Sequence, residues 1–313
     1  MSLTRILVVV LAGGAGGRLD LLTENRAKPA VAYGGMYRLI DFPLSNCQRA
    51  GIADVWVIQQ YNPRSLSDHL ANGRPWDLDR TTGGLLVVHP HQGNERGGWH
   101  QGTVDALWRQ APMIREFDPE ALVVVSADAV YKLDYREVVE GHLDSDAAVT
   151  MVTTRVDKAD ASRYGVVLVA DDGGITDYAY KPDDPASDLV SNEVFVFTPD
   201  RVLDLLDELA EGVDEGSGLE DLGDQVLPKL VEAGEAREHR FEDTGVTAAP
   251  SRRTGSRTWI CSKTSPRSIS TNPAGESRPQ VDDRPRRGST KVLRWTTACS
   301  LPAASLPGQC TTR

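Results

Sequence analysis

The amino-acid sequence of 313 residues predicts an α/β fold, with a Rossmann-like, mixed but mostly parallel sheet in residues 1–243. An irregular or disordered basic tail is predicted for residues 244–313. Three observations lead to these predictions: short apolar runs alternate with helix-like segments, a glycine-rich turn follows the first run, and the composition changes after residue 243. Alternation of this kind is typical of strands and helices that succeed one another around a sheet.

The individual elements follow from the runs and the segments between them. Short runs rich in Val, Ile and Leu predict strands, at residues 6–10, 55–59, 85–89, 122–126, 148–155, 166–169, 175–180 and 194–197. Longer periodic segments predict helices, at residues 105–116, 135–143, 200–209 and 224–233. An Asp-Gly-Gly turn at 172–174 predicts a hairpin, so we expect antiparallel pairing within the sheet.

Charge divides the chain at the same point as composition. Residues 244–313 hold 12 of the 34 basic residues but only three of the 45 acidic ones, so this tail carries +9 and the preceding residues −20. A body this acidic repels nucleic acid, so any phosphate-bearing substrate needs a local positive site. The alternative for the tail, a basic arm that binds nucleic acid, is tested by a salt-dependent shift with DNA.

Membrane and extracellular roles are not expected from the sequence. The longest apolar run, residues 6–12, is too short to span a bilayer, and it ends in glycines where a signal peptide would have a cleavage site. The four cysteines show no CxxC spacing, which argues against a zinc site or a disulfide framework. We therefore expect a cytoplasmic protein with neither a membrane nor a nucleic acid as partner.

The glycine-rich turn LAGGAGGR at residues 11–18 is a candidate phosphate site. Glycines let backbone N–H groups approach an anion closely, although a bare structural turn is the alternative. The turn is not a Walker loop, because no Gly-Lys-Ser/Thr follows it, and its glycine spacing does not match the dinucleotide fingerprint. Arg18 and Lys28 supply cations that would stabilise charge during nucleotidyl transfer, unless they are ordinary surface residues. The candidate nucleotide-binding residues of the turn are Leu11, Ala12, Gly13, Gly14 and Gly16.

The segment GGAGGRLDLLTENRAKPA resembles the GGxGxRLxPLT…KP motif of the sugar-phosphate nucleotidyltransferases. Its continuation, RAKPAVAYGGMYRLIDFPLSN, resembles the glucose-1-phosphate adenylyltransferase branch of that family, and the resemblance runs to about residue 243. It implies a GT-A-like nucleotidyltransferase domain over 1–243. It also implies the substrates ATP and glucose 1-phosphate, with ADP-glucose and pyrophosphate as products of a step in glycogen or α-glucan synthesis.

Further motifs predict which residues bind the nucleotide and which bind the metal. QQY followed by RSL resembles a family segment near the base, which assigns Gln60 to adenine, since an amide matches the donor and acceptor edge of that base; a surface glutamine is the alternative. WHQGTVDA resembles WxxGTADA and assigns Gly102 and Thr103 to the nucleotide. VSAD resembles the strand-end motif that assigns Asp128 to Mg2+, a cation that carboxylates bind well; a turn aspartate is the alternative.

The sugar-phosphate site follows from three short resemblances. The family motifs FG, EKP and SMG correspond to YG, YKP and SNE here, and they assign Gly165, Tyr180, Lys181 and Ser191 to the sugar phosphate. Tyr180 replaces a glutamate and Glu193 replaces a glycine. Both departures border the sugar, so another hexose 1-phosphate remains an alternative substrate.

The tail lacks two family features, the YWRDVGT motif with a second magnesium carboxylate and a left-handed β-helix. Read in a frame shifted by one base, permitted codons for residues 244–250 encode YWRDCGT, and those for 251–262 and 295–305 encode AAYWEPHMDLL and VDDSLLSPGSI. We therefore predict a one-base deletion before the codon of Thr244. The chain as written is then expected to be impaired in catalysis. Assembly into the homotetramer typical of the family is in doubt, because that tetramer depends partly on the β-helix.

Two other functions stay open at this stage. One is a different nucleotidyl transfer, for example of a thymidylyl group, which a substrate panel would separate. The other is a catalytically inactive regulatory subunit that binds the ligands, which calorimetric titration alongside a turnover assay would identify.

Overall fold

A nine-stranded sheet forms the centre of the computed structural model, which describes residues 5–14, 23, 26–91, 98–212 and 218–242 and the backbone of 246–247. The strands are β1 (Ile6–Ala12), β2 (Ala32–Tyr33), β3 (Tyr37–Arg38), β4 (Asp54–Gln59), β5 (Gly84–Val88), β6 (Ala121–Ser126), β7 (Ala129–Val130), β8 (Val149–Arg155), β9 (Gly165–Val169), β10 (Ile175–Tyr180), β11 (Leu189–Phe197), β12 (Ala236–Arg240) and β13 (Val246–Thr247). The helices are α1 (Asp41–Arg49), α2 (Pro63–Leu70), α3 (Thr103–Phe117), α4 (Tyr135–Leu143), α5 (Lys158–Ala161), α6 (Pro199–Glu211), α7 (Leu222–Gln225) and α8 (Leu227–Glu232), with 3-10 turns at Lys28–Ala30 and Ala71–Trp76.

The sheet confirms the predicted mixed, mostly parallel α/β architecture. Its order is β10-β9-β11-β6-β1-β4-β5, and β8 and β12 branch from β11. Strands β10 and β11 run opposite to the other seven, because every pairing of β11 and the β9–β10 pairing are antiparallel while the rest are parallel. The predicted hairpin joins β9 to β10, and at its turn the amide of Gly174 donates to the Asp172 carboxylate at 2.9 Å.

The predicted helix over residues 224–233 is wrong as a single element. Helix α7 ends at Gln225, and α8 begins anew at Leu227 after a turn at Val226. Pro228 explains the break, because proline has no N–H to donate and fits only in the first turn of a helix. Helices α1 and α2 were not predicted. Neither begins with a side-chain cap among its hydrogen bonds, so the usual sequence signal for a helix start is absent.

Apolar side chains cover both faces of the sheet. In β1, Leu7 and Val9 face a core that includes residues of α3 and α6, whereas Val8 and Val10 face one that includes residues of α1 and α4. Strands buried on both faces read as continuous apolar runs, which is why the central strands could be predicted. No helix of the described part of the chain is both long and apolar enough to cross a membrane.

Protonation of His142 is expected to destabilise the fold. Its ring nitrogens contact Thr150 Oγ1 at 2.9 Å and Thr198 Oγ1 at 3.2 Å, and burial lowers the pKa of His142 to about 4. In the unfolded chain this histidine takes up its proton at about pH 6.5. The contribution of the neutral His142 ring to stability is therefore complete above that pH and is lost as the pH decreases towards 4. Between neutral pH and pH 5 we expect a loss of about 1 to 2 kcal/mol in the free energy of unfolding.

Urea unfolding of the unsubstituted chain and of His142→Gln over this pH range checks the expectation. The variant cannot titrate at this position, so its stability should depend less on pH. An equal slope in the two proteins would contradict the assignment.

Candidate active site

A cavity of about 400 Å³ opens at the carboxyl edge of the parallel strands. Strands β1, β4 and β6 are neighbours and parallel, so the residues that follow them meet at one edge of the sheet, where α/β proteins bind ligands. Antiparallel β11 and the end of β10 form the other side. The predicted residues that line the cavity are Leu11, Gly13, Gly14, Lys28, Gln60, Gly102, Thr103, Asp128, Gly165, Tyr180 and Ser191.

Two of the predicted residues that the structure describes do not line the cavity, and two others lie outside the described residues. Ala12 is buried at the end of β1, and Lys181 lies beside the cavity, against Tyr180. Gly16 and Arg18 lie outside the described residues. Of the two cations predicted near the glycine turn, Lys28 is therefore the one that the structure describes.

Lys28 and Asp128 form the charged centre of the cavity. The Lys28 ammonium pairs with Oδ2 of Asp128, and the Ser126 hydroxyl donates to Oδ1. The two charged side chains remain 30% and 23% exposed, so both are accessible to a ligand. Lys28 is held here by the 3-10 turn Lys28–Ala30, and Asp128 follows the end of β6.

One carboxylate on the cavity wall suits a magnesium ion. Within the described ranges no group of three or more His, Cys, Asp or Glu side chains forms a metal cluster. Mg2+ commonly binds proteins through one or two carboxylates and takes its other ligands from phosphates and water. Asp128 offers such a carboxylate on the cavity wall.

Gln60 contacts the backbone of His100 with its amide. Its Oε1 accepts from the His100 N–H at 2.5 Å, and its Nε2 donates to the His100 carbonyl at 3.0 Å. The second N–H of Nε2 and the second lone pair of Oε1 therefore remain for a ligand. Burial lowers the pKa of the His100 imidazole, which also lines the cavity.

The start of α3 is attached to the segment that leads into α7. The Val104 N–H donates to the Glu220 carbonyl at 2.9 Å, and the Leu222 N–H donates to Thr103 Oγ1 at 2.8 Å. Gly102 lies so close to this segment that a Cβ atom would overlap the backbone of Glu220. The glycine of the GTVDA motif is thus required by backbone packing.

Two tyrosines and Asp221 form another part of the cavity wall. The Tyr180 hydroxyl donates to Asp221 at 2.8 Å, and the Lys181 ammonium contacts the same hydroxyl and lies 4.1 Å from the centre of the Tyr180 ring. Burial and the hydrogen bond to Asp221 raise the pKa of Tyr180, so the phenol stays protonated. Tyr178 fills the space beside Gly165, where a Cβ would overlap its ring.

Several cavity residues were not assigned a role from the sequence. Tyr178 precedes Tyr180 by two positions in β10, and Phe195 follows Ser191 and Glu193 at the same spacing in β11. Alternate residues of a strand share a face, so this spacing was the available signal. His100 carried no such signal, because it lies in a segment outside the strands.

Comparison with known proteins identifies the family. The profile of the nucleotidyl transferase family matches residues 7–259. Similar proteins include glucose-1-phosphate adenylyltransferases of Fusobacterium nucleatum (40% identity over 75% of this chain and 60% of the relative), Thermomicrobium roseum (40%, 76% and 55%) and Clostridium novyi (38%, 73% and 59%). The chain thus spans less than two thirds of the length of these relatives. On this evidence the chain belongs to the nucleotidyl transferase family.

Proposed function

We propose that the chain transfers AMP from ATP to glucose 1-phosphate, giving ADP-glucose and pyrophosphate. The observation that carries the proposal is the convergence on one cavity of Gly13 and Gly14, the Lys28–Asp128 pair and Gly165, Tyr180 and Ser191. Relatives named glucose-1-phosphate adenylyltransferase support the choice of substrates. Residues 1–243 are proposed as the catalytic domain of a cytoplasmic enzyme.

The proposed reaction is an in-line displacement at the α-phosphorus of ATP. A phosphate oxygen of the sugar substrate forms the new P–O bond, and the bond to pyrophosphate breaks, with no covalent enzyme intermediate. Lys28 and Arg18 are proposed to stabilise the charge that develops on the phosphates, and Lys181 to orient the attacking phosphate. Asp128 would hold Mg2+, which when bound neutralises phosphate charge and aligns the two substrates.

Other cavity residues are proposed to contact either the nucleotide or the sugar phosphate. The glycine turn would bind the triphosphate through backbone N–H groups, and the free donor and acceptor of Gln60 would meet the adenine edge. Thr103 and Gly102 would form the wall beside the nucleotide. Gly165 and Ser191 would face the sugar phosphate.

Impaired catalysis and the frame shift stay predictions, since residues 248–313 lie outside the described part of the chain. Of residues 244–247, the structure describes only the backbone pairing of β13 with β7. The nucleotide sequence around the codon of Thr244 tests the proposed deletion directly. Codons that cannot encode YWRDCGT in the shifted frame would reject it.

A regulatory, non-catalytic role is the second candidate function. It is favoured by Glu193, a charged residue in the cavity where the resemblance predicts glycine. Such a subunit would bind ATP or glucose 1-phosphate without turning them over.

Turnover and binding assays on the full chain test both candidates. With Mg2+, ATP and glucose 1-phosphate, we expect ADP-glucose and an equal amount of pyrophosphate, at a rate lower than that of full-length relatives. A panel that includes dTTP and other hexose 1-phosphates decides the specificity. Binding without any product favours the regulatory role, and faster turnover with dTTP contradicts adenylyl transfer.

A further inference from the structure

Glu193 has an unusual backbone conformation at the cavity wall. Its φ angle is 53°, in the left-handed region that glycine adopts freely and that costs energy for residues with a side chain. The residue lies in an irregular part of β11, where the pairing register with β8 shifts between Ser191 and Phe195.

The Glu193 side chain is half-buried and lines the cavity. Burial and the Asp128 carboxylate raise the pKa of Glu193, whereas Lys28, the Ser126 hydroxyl and Lys181 act in the opposite direction. The carboxyl group therefore lies within electrostatic reach of both lysines that are proposed to contact substrate phosphates. It occupies the side of the cavity that also holds Ser191.

Both lysines near this part of the cavity already have partners without a ligand. Lys28 pairs with Asp128, and Lys181 contacts the Tyr180 hydroxyl, which donates to Asp221. Together with Glu193, these described side chains carry two positive and three negative formal charges. The net charge of these described side chains is therefore negative, which disfavours the binding of a phosphate dianion beside them.

We propose that Glu193 is a specificity-determining residue whose carboxylate competes with the phosphate of the sugar substrate for Lys28 and Lys181. The inference rests on the proposed function, because it takes the two lysines as phosphate ligands. It adds that the unsubstituted chain binds sugar 1-phosphates weakly and that the carboxylate of Glu193 is the cause. The carboxylate acts as an internal anion that the substrate must displace.

Titration calorimetry with glucose 1-phosphate on the full chain, on Glu193→Gly and on Glu193→Gln tests the proposal. The measurements are made without Mg2+, so that metal binding does not enter, and inorganic phosphate serves as a second probe. We expect both variants to bind glucose 1-phosphate about tenfold more tightly, because a nearby like charge is removed. The gain should shrink at high ionic strength, as screening weakens the repulsion.

Folding does not confound this experiment, since glycine accepts the backbone conformation of residue 193 without strain. Glu140→Gln removes a carboxylate from an exposed position of α4 and serves as the matched control, with unchanged affinity expected. Equal or weaker binding by both Glu193 variants overturns this inference alone. Failure of all the proteins to bind glucose 1-phosphate, even at low ionic strength, overturns the proposed function and the inference with it.

Discussion

Replacing Asp128 by asparagine is expected to lower the rate of nucleotidyl transfer by about 100-fold or more. Asp128 is the cavity carboxylate that meets both Lys28 and the Ser126 hydroxyl. Asparagine keeps the size of the side chain but removes the charge that a divalent cation requires. The same change removes the ionic partner of Lys28, so the ammonium should also lose its fixed position.

Two measurements check this expectation. A turnover assay compares Asp128→Asn with the unsubstituted chain, and calorimetry compares ATP binding with and without Mg2+. In the variant, Mg2+ should no longer tighten ATP binding, and this readout holds even where turnover is slow. Asp68→Asn, on the exposed side of α2 with a side chain 74% exposed, is the control. Unchanged Mg2+ dependence in Asp128→Asn would contradict the assigned role.

Replacing Gly102 by alanine is expected to destabilise the fold by about 3 kcal/mol. The added Cβ would overlap the backbone of Glu220, and a backbone clash cannot be relieved by rotating a side chain. The backbone of Gly102 is extended, a conformation open to any residue, so the whole effect comes from lack of space. Helix α3 and the segment before α7 would have to separate.

Chemical denaturation of the two purified proteins measures this loss of stability. Gly141→Ala is the matched control, because Gly141 lies in α4 and a Cβ there meets nothing within 4 Å. Alanine at that helical position should raise stability by about 0.5 to 1 kcal/mol. Equal stabilities for Gly102→Ala and Gly141→Ala would show that the close approach to Glu220 is not rigid.

The sheet could be predicted from the sequence because its central strands are buried on both faces. Strands β1, β4 and β6 read as continuous apolar runs, and the Asp-Gly-Gly turn marked the hairpin that makes the sheet mixed. Short elements were harder to predict. Strands β2 and β3 have two residues each and pair as a hairpin around Gly34 and Gly35. Runs of two residues are too short to show the alternating pattern that predicts a strand.

The candidate site was predictable where short sequence motifs mark its residues. Lys28, Asp128 and Ser191 were found through motifs, and the structure brings all three to one cavity. Contacts between distant segments could not be foreseen in this way. The pairing of Gln60 with the His100 backbone joins residues 40 positions apart, and the left-handed conformation of Glu193 depends on the irregular register of β11.

The attachment of α3 to the segment before α7 affects how kinetic data on this chain can be interpreted. Thr103, which is proposed to contact the nucleotide, donates to Asp221 at 3.4 Å, and Asp221 also accepts from Tyr180, which is proposed to contact the sugar phosphate. A substitution of any of these three residues is therefore expected to disturb both proposed substrate pockets at once. Altered Michaelis constants alone therefore cannot attribute any of these three residues to a single substrate, whereas separate titrations with each substrate can.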